Sequence, residues 1–324
     1  MLSPLVVGAL VQTAIVIILC IGFTFTYMID KFPNFAHTAT ATFGTVISFT
    51  LVRIYGFDPY AAIPFSMLLC GLLGVVLYVG IVRPIKATGA REITLTFASL
   101  ALAQLMFAVV NIYSYWYVRS QGAPTAGFQL SSFDFKLGGY PGVLIVGLPV
   151  CAVLIAALWF FLMRVKQGIA LRAVAEDESL ASSIGVNVKL VHIVSWLITG
   201  ALAGLAGGLI PLWRYTGLGF NDEFLMLVIA GSVMGGMNNI AGALIGGFLT
   251  STSQKLLGAL AIAIFGYEAA AYEPIYPTLL IAAILMFEPE GIMGYFEHTH
   301  KPLRDLRNRV DRIRRRVSEV IHAT

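Results

Sequence analysis

Leu5–Ile29 reads LVVGALVQTAIVIILCIGFTFTYMI, a run of 25 residues without a charged side chain. At about 1.5 Å per residue, a helix of that length reaches ~37 Å, more than the ~30 Å hydrocarbon core of a bilayer. No basic residue precedes the run, and it exceeds the ~7–15 apolar residues of a signal-peptide core. It is therefore expected to stay in the mature protein as a membrane span. Working outward, comparable runs lie at 35–54, 60–82, 92–114, 142–163, 189–211, 239–262 and 272–293. A shorter stretch, 223–236, has only 14 residues, which reach ~21 Å as a helix, so it is a short span or a re-entrant one. The expected fold is all-α: a polytopic helical membrane protein with about eight to nine transmembrane segments, some short or re-entrant.

Composition supports this class and excludes others. Hydrophobic residues make up 58% of the 324-residue chain and charged residues 12%, about half the charged share of a soluble domain. The mean hydropathy is +0.84. The net charge of +4 is uneven, since eight of the 21 Lys and Arg residues follow residue 300. Such a distribution carries topology and gives no sign of nucleic-acid binding. Cys20, Cys70 and Cys151 each lie inside an apolar run, where a thiol behaves as a small hydrophobe.

Basic loops set the orientation. Arg83, Lys86 and Arg91 mark one cytoplasmic loop, and Arg164, Lys166, Arg172 and Lys189 mark a second, two spans later. The segment between them, 115–141, is rich in glycine and proline and is expected outside. The tail, with Lys301, Arg304, Arg307, Arg309, Arg312, Arg314, Arg315 and Arg316, is expected inside. An even number of crossings joins Lys189 to that tail only if 223–236 crosses the membrane. Counting back from Arg83 puts the N-terminus outside. Residues 1–294 are thus expected to form a transmembrane domain, with an inner loop at 164–189 and an outer loop at 115–141. Residues 295–324 form a basic amphipathic cytoplasmic tail, whose stripe of Leu303, Leu306, Val310, Ile313, Val317 and Val320 suits headgroups or the ends of the bundle.

Small residues recur at helical spacing. Gly200, Gly204 and Gly208, with Gly207 beside them, strip one face of a span to backbone, and Gly231, Gly235, Gly242 and Gly246 repeat the interval. That pattern suits tight helix packing and also the wall of a pathway. Pro33, Asn34 and His37 sit where the first apolar run gives way to the second, near Asp30 and Lys31. Asn34, Phe35, Ala36 and His37 read either as an interfacial turn or as a broken helix whose free backbone lines a path.

The polar segment Gly168-Ile-Ala-Leu-Arg-Ala-Val-Ala-Glu-Asp-Glu-Ser-Leu-Ala-Ser-Ser-Ile-Gly185 stands between two apolar stretches. Leu171, Val174, Ala175, Leu180, Ala181 and Ile184 can share one side of a short helix, with Arg172, Glu176, Asp177 and Glu178 elsewhere and Gly185 as the stop. Such a helix suits a groove on a soluble partner or the membrane surface. No phosphate-binding Gly-x-x-x-x-Gly-Lys-Ser/Thr occurs, so this chain is not expected to hydrolyse nucleotide. No Cys or His spacing suggests a metal: His192 has no second His or carboxylate placed to share one and reads as a satisfied interfacial histidine. No Ser, His, Asp or Cys cluster suggests catalysis.

Several of these pieces together resemble the permease subunits of branched-chain amino acid ABC importers. They are Gly168-x-Ala-Leu-Arg-Ala-Val-Ala-Glu-Asp177 with Ala181 and Ile184-Gly-Val186; Ala201-Leu-Ala-Gly-Leu-Ala-Gly-Gly-Leu209; Pro33-Asn-Phe-Ala-His37; Thr88-Gly-Ala-Arg-Glu-Ile-Thr-Leu95; and Gly235-Gly236 followed by Ala241–Gly247. The similarity covers roughly residues 5–294. Thr38 departs from it, standing where that family usually has glycine.

The resemblance implies an ATPase-coupling role for Gly168, Arg172, Ala173, Glu176, Asp177, Ala181 and Gly185. It implies two ATP-binding partner subunits that carry the ATP and Mg, a second permease that is homologous or identical, and an extracytoplasmic solute-binding protein. The location it implies is the prokaryotic plasma membrane. The pathway residues would include Asn34, Phe35, Ala36, His37, Gly200, Gly204, Gly208, Gly235 and Gly236. Asp222, Glu223, Glu268 and Glu273, expected outside, would be solvated loop charges or would meet the binding protein. The expected activity is ATP-driven import of branched-chain or other apolar amino acids by alternating access. The same architecture would serve urea or short amides. An ion-coupled secondary transporter is the rival from another class; it would call for carboxylates or histidines well inside a span, and none is evident in the sequence.

Overall fold

A computed structural model describes residues 3–121, 127–217, 220–273, 275–287 and 291–294. The tail and its apolar stripe lie outside the described residues. Among those described, seven helices are long and apolar enough to cross a membrane.

Helix α1 (Pro4–Asp30) begins at a Ser3 cap with proline in its first turn, and stops where Lys31 turns left-handed at φ 59°. It is apolar all round because it is central: α6 (Gly142–Arg164), α9 (Val188–Trp213), α10 (Phe220–Gly235) and α11 (Ile240–Phe265) all pack on it. Helix α3 (Pro59–Leu77) runs through a π-helical turn, Tyr78–Val82, into α4 (Arg83–Ala87). Helix α5 spans Glu92–Gln121, and α12 (Ile275–Phe287) follows a 3-10 turn at Tyr267–Tyr272.

Two segments differ from these. Helix α2 (Ala36–Arg53) has the length of a span but not the hydropathy. It tolerates its threonines because α1, α3, α5, α9 and α10 surround it, and because the hydroxyls fold back: Thr40 donates to Ala36 O, Thr42 to Thr38 O and Thr50 to Val46 O. Helix α10, only 16 residues long, nonetheless runs from one end of the bundle to the other. Glu223 near its start pairs with Arg214, just past the end of α9. At its other end, the turn at Gly236–Asn239 lies beside Met28 and Arg172, near where α9 begins. The two ends of α10 therefore lie near opposite ends of α9.

Glycine decides the closest packing. Helix α9 is wedged between α2 and α3: a Cβ on Gly200 would strike the Cys70 carbonyl, one on Gly204 the Ser66 carbonyl, and one on Gly207 the Ala41 carbonyl. The α10–α11 pair closes the same way through Gly235 against Gly242 and Gly231 against Gly246.

The expected outer loop 115–141 needs correction at its start, since α5 continues helical through Gln121. No helix breaker occurs before Gly122, and Tyr115, Trp116 and Tyr117 suit a membrane–water interface without ending a helix. The later part folds over that end of the bundle. Leu130 N–H donates to Pro211 O at 2.7 Å, Phe128 bridges Thr216, and strands β1 (Lys136–Leu137) and β2 (Tyr140–Pro141) pair antiparallel. Asp134 ties the segment down by accepting from Tyr60 Oη at 2.5 Å and Val143 N–H at 3.1 Å.

Candidate functional site

The polar segment forms two short helices, not one: α7 (Lys166–Glu176) and α8 (Glu178–Ser183). Asp177 makes the break. Its backbone is extended, and its carboxylate accepts from Leu180 N–H at 2.9 Å and Ser179 Oγ at 2.7 Å, capping α8 instead of continuing α7. Those donors, Leu180 N–H first, hold the Asp177 carboxyl below its usual range. Gly185, at φ 87°, ends α8, with Val186 N–H reaching back to Ala181 O at 3.1 Å.

The expected single apolar side is also split. Leu171, Val174 and Ala181 point inward onto Phe25, Ile29, Leu162 and Val191. Leu180 and Ile184 instead stand 62% and 71% exposed, beside Glu176, Asp177 and Glu178. Of the remaining residues singled out in this segment, Arg172 and Gly185 are exposed, Ala173 is half-buried and Gly168 is buried. Gly168 allows α7 to fold against the end of α6, since a Cβ there would collide with Phe161 O and Leu162 Cα. Between α7 and the end of α1 lies a cleft of about 580 Å³ bordered by Met28, Lys31, Ile169, Arg172, Glu176 and Asn238.

Behind this surface lies a buried polar cluster. Asp30, with no side-chain exposure, takes Lys86 Nζ at 2.5 Å and Trp196 Nε1 at 2.7 Å. His192 Nδ1 is 3.0 Å from Asp30 Oδ1, within ion-pair distance but without hydrogen-bond geometry. His192 Nε2 lies 3.6 Å from Glu178 Oε1, and the Tyr78 ring stacks on the imidazole at 5.5 Å. His192, expected at the interface, is thus buried between two carboxylates. A direct bond from Lys31 Nζ to Ala175 O, 2.7 Å long, also joins α1 to the end of α7.

Asn34, Ala36 and His37 are buried. Residues 32–35 fold back inside the bundle: Ser99 Oγ donates to Pro33 O and accepts from Phe35 N–H, both at 3.2 Å. Asn34 caps α2 through Ala36 N–H at 3.1 Å, and Phe35 is half-buried. His37 is 1% exposed and meets Leu19 O at 3.1 Å, well up α1. Buried polar atoms without partners, Thr24 Oγ1, His37 Nδ1, Ser48 Oγ and Ser195 Oγ, belong to α1, α2 and α9. The helix is interrupted between α1 and α2, and a histidine does lie well inside the bundle, contrary to expectation. Gly200, Gly204, Gly208, Gly235 and Gly236 lie elsewhere, at helix contacts and at the end of α10.

The outer carboxylates also find partners. Glu223 makes a two-pronged pair with Arg214 at 2.7 and 3.0 Å, and Glu273 pairs with Lys255 of α11 at 2.6 Å. Glu268 is exposed, and the Asp222 side chain lies outside what is described. Lys255 is an ionisable residue inside an expected span that sequence reasoning passed over, as were Gly71 and Gly74 of α3, which admit α9. All three cysteines are buried and free. Among the described residues, no group of three His, Cys, Asp or Glu is placed to hold a metal ion.

A protein-family model described as the branched-chain amino acid transport system / permease component matches residues 5–287. The chain belongs to this permease family. It is similar to the probable branched-chain amino acid transport permease protein LivH of Methanocaldococcus jannaschii, 33% identical over 287 residues covering 89% of this chain and 91% of that protein. It is also similar to the high-affinity branched-chain amino acid transport system permease protein BraD of Pseudomonas aeruginosa, 28% identical over 310 residues, covering 90% and 95%. The ribose import permease protein RbsC of Haemophilus influenzae is 25% identical over 292 residues, covering 87% and 84%. As a member of this family the chain is a multi-pass membrane permease component of an ABC transporter.

Proposed function

We propose that the chain is the permease subunit of an ATP-driven importer for branched-chain or other apolar amino acids in a prokaryotic plasma membrane. The observation that carries this is the exposed α7–α8 surface on a chain of this family. Leu180 and Ile184 offer exposed apolar area, and Arg172, Glu176 and Glu178 of the same segment are exposed as well. Exposed apolar side chains rimmed by charge suit a protein groove. The ATPase of the importer is the occupant that this reading assigns. Two such ATPases carry ATP and Mg, a second permease completes the pathway, and a solute-binding protein delivers substrate to the opposite, outer end. The α7–α8 end and the C-terminus face the cytoplasm, in keeping with the basic loops at that end.

The chemistry of the bundle suits the cargo. Few charges lie along the helices, and among them Lys255 is paired with Glu273 and Asp30 with Lys86. An apolar side chain passes such walls without leaving a strong ion trap, while the hydroxyls and His37 along α1, α2 and α9 provide hydrogen bonds for amino and carboxylate groups. The names of the relatives with 33% and 28% identity favour branched-chain amino acids over the sugar named for the one with 25%. Co-purification with two ATP-binding subunits, and ATP-dependent uptake of leucine in vesicles, test this function. Full uptake by the chain reconstituted alone would overturn it.

A further inference from the structure

Two polar links join the α7–α8 segment to the rest of the molecule, and both arrive at the last turn of α1. One runs from Glu178 of α8 to His192 of α9 and on to Asp30, at 3.6 and 3.0 Å. The other is the Lys31 Nζ bond to Ala175 O at the end of α7, at 2.7 Å. Asp30 is held further by Lys86 from α4 and by Trp196 from α9. Three helices besides α1 therefore converge on two consecutive residues, and α8 joins them through His192.

The physics of the two kinds of contact differs. The remaining attachment of α7 and α8 is an apolar patch of Phe25, Ile29, Leu162, Leu171, Val174, Ala181 and Val191, and apolar contact is non-directional, so such a patch can slide. A buried carboxylate cannot part cheaply from its donors, so Asp30 has to travel with them. Lys31 adds a second feature. It is the one described non-glycine residue with positive φ, at 59°, a backbone state that L side chains adopt at a cost. Directly beyond it, residues 32–35 fold back inside to Ser99 and lead into α2, which carries His37.

We infer that Asp30 and Lys31 form the joint through which displacement of α7–α8 is transmitted to α1 and α2, with His192 and Trp196 as positioning residues. This rests on the importer function proposed above. In it, a pull on α8 moves His192 and Asp30 together, a pull on α7 moves Lys31, and the segment after Lys31 passes the motion to the buried polar face of α2. The joint includes three hydrogen bonds, from Lys86 and Trp196 to Asp30 and from Lys31 to Ala175 O, with His192 in charge contact between Asp30 and Glu178, and so it transmits direction as well as force.

The test uses the assembled importer in vesicles, comparing leucine uptake per ATP hydrolysed. Trp196→Phe removes one donor to Asp30 and keeps a ring of similar shape. Lys31→Met removes the ammonium and keeps the stem, and His192→Gln removes the imidazole bridge. Each is expected to lower uptake per ATP by roughly three- to tenfold while hydrolysis stays within about twofold, and the Trp196→Phe/Lys31→Met double variant should fall further than either. If His192→Gln does not assemble, the two milder variants decide. An unchanged ratio, or uptake and hydrolysis falling in parallel, overturns the joint. Wild-type vesicles without ATP-dependent uptake would overturn the importer function and the joint with it, whereas normal wild-type coupling with unaltered variants overturns the joint alone.

Discussion

Ser66 of α3 donates its hydroxyl to the carbonyl oxygen of Gly204 of α9 at 2.7 Å, at the point where those two helices leave no room for a Cβ. The bond and the missing side chain act together: bare backbone on α9 brings its carbonyl within reach, and the serine occupies the acceptor. Without strong hydrophobic drive between helices in lipid, such close backbone contact is a main source of helix association.

Gly204→Val should therefore destabilise the bundle sharply. Overpacking of this kind costs ~1–3 kcal/mol, and more where backbone must move. Thermal unfolding in detergent is expected to show a clear fall in Tm. Gly80→Ala, at a position with nothing near the added methyl group, should change it little. Equal behaviour of the two variants would show that the α3–α9 contact is not tight in the membrane.

Asp177 separates α7 from α8 by capping, and Asn can cap as well as Asp. Asp177→Ala should increase hydrogen exchange in residues 178–184, while Asp177→Asn should leave it near wild type. The Asp177 carboxyl lies below the ordinary aspartate range, so its stabilising effect is fully present above that range. It is lost only as the pH falls through the depressed value. Exchange protection of α8 should consequently be flat from about pH 5 to 8, apart from the intrinsic rate. A protection change centred in that range would point to another group.

The Arg214–Glu223 pair links the end of α9 to the start of α10, each side chain being 33% exposed. With that exposure the pair contributes only ~1 kcal/mol or less. A double-mutant cycle with Arg214→Gln and Glu223→Gln should return a coupling of that size, shrinking at high salt. Coupling that ignores salt would mean the pair is dry.

Some of this was legible in the sequence for simple physical reasons. Leu5–Ile29 has one reading, because nothing but lipid or a protein core accepts so many consecutive apolar side chains. The break at Asp177 had a signal too: Asp followed two residues later by Ser is cap chemistry, outweighed by the apolar period around it. Other features depended on distant partners. His37 looks like a boundary residue beside Asp30 and Lys31, and only the fold shows it turned inward to Leu19 O. Asp30 and His192 are 162 positions apart, so nothing local announces their pairing. Gly71 and Gly74 escaped notice because their partner surface, around Trp196 and Gly200, lies on another span.

The central claim is that ATP-driven work enters this chain through α7–α8. Arg172 is exposed on that surface and borders the cleft beside Lys31 and Glu176. Leucine uptake by vesicles containing the assembled importer, with wild type compared against Arg172→Glu, tests the claim most directly. Uptake is expected to be lost while the variant chain inserts and folds as wild type does; undiminished ATP-driven uptake by Arg172→Glu would show that the work enters elsewhere.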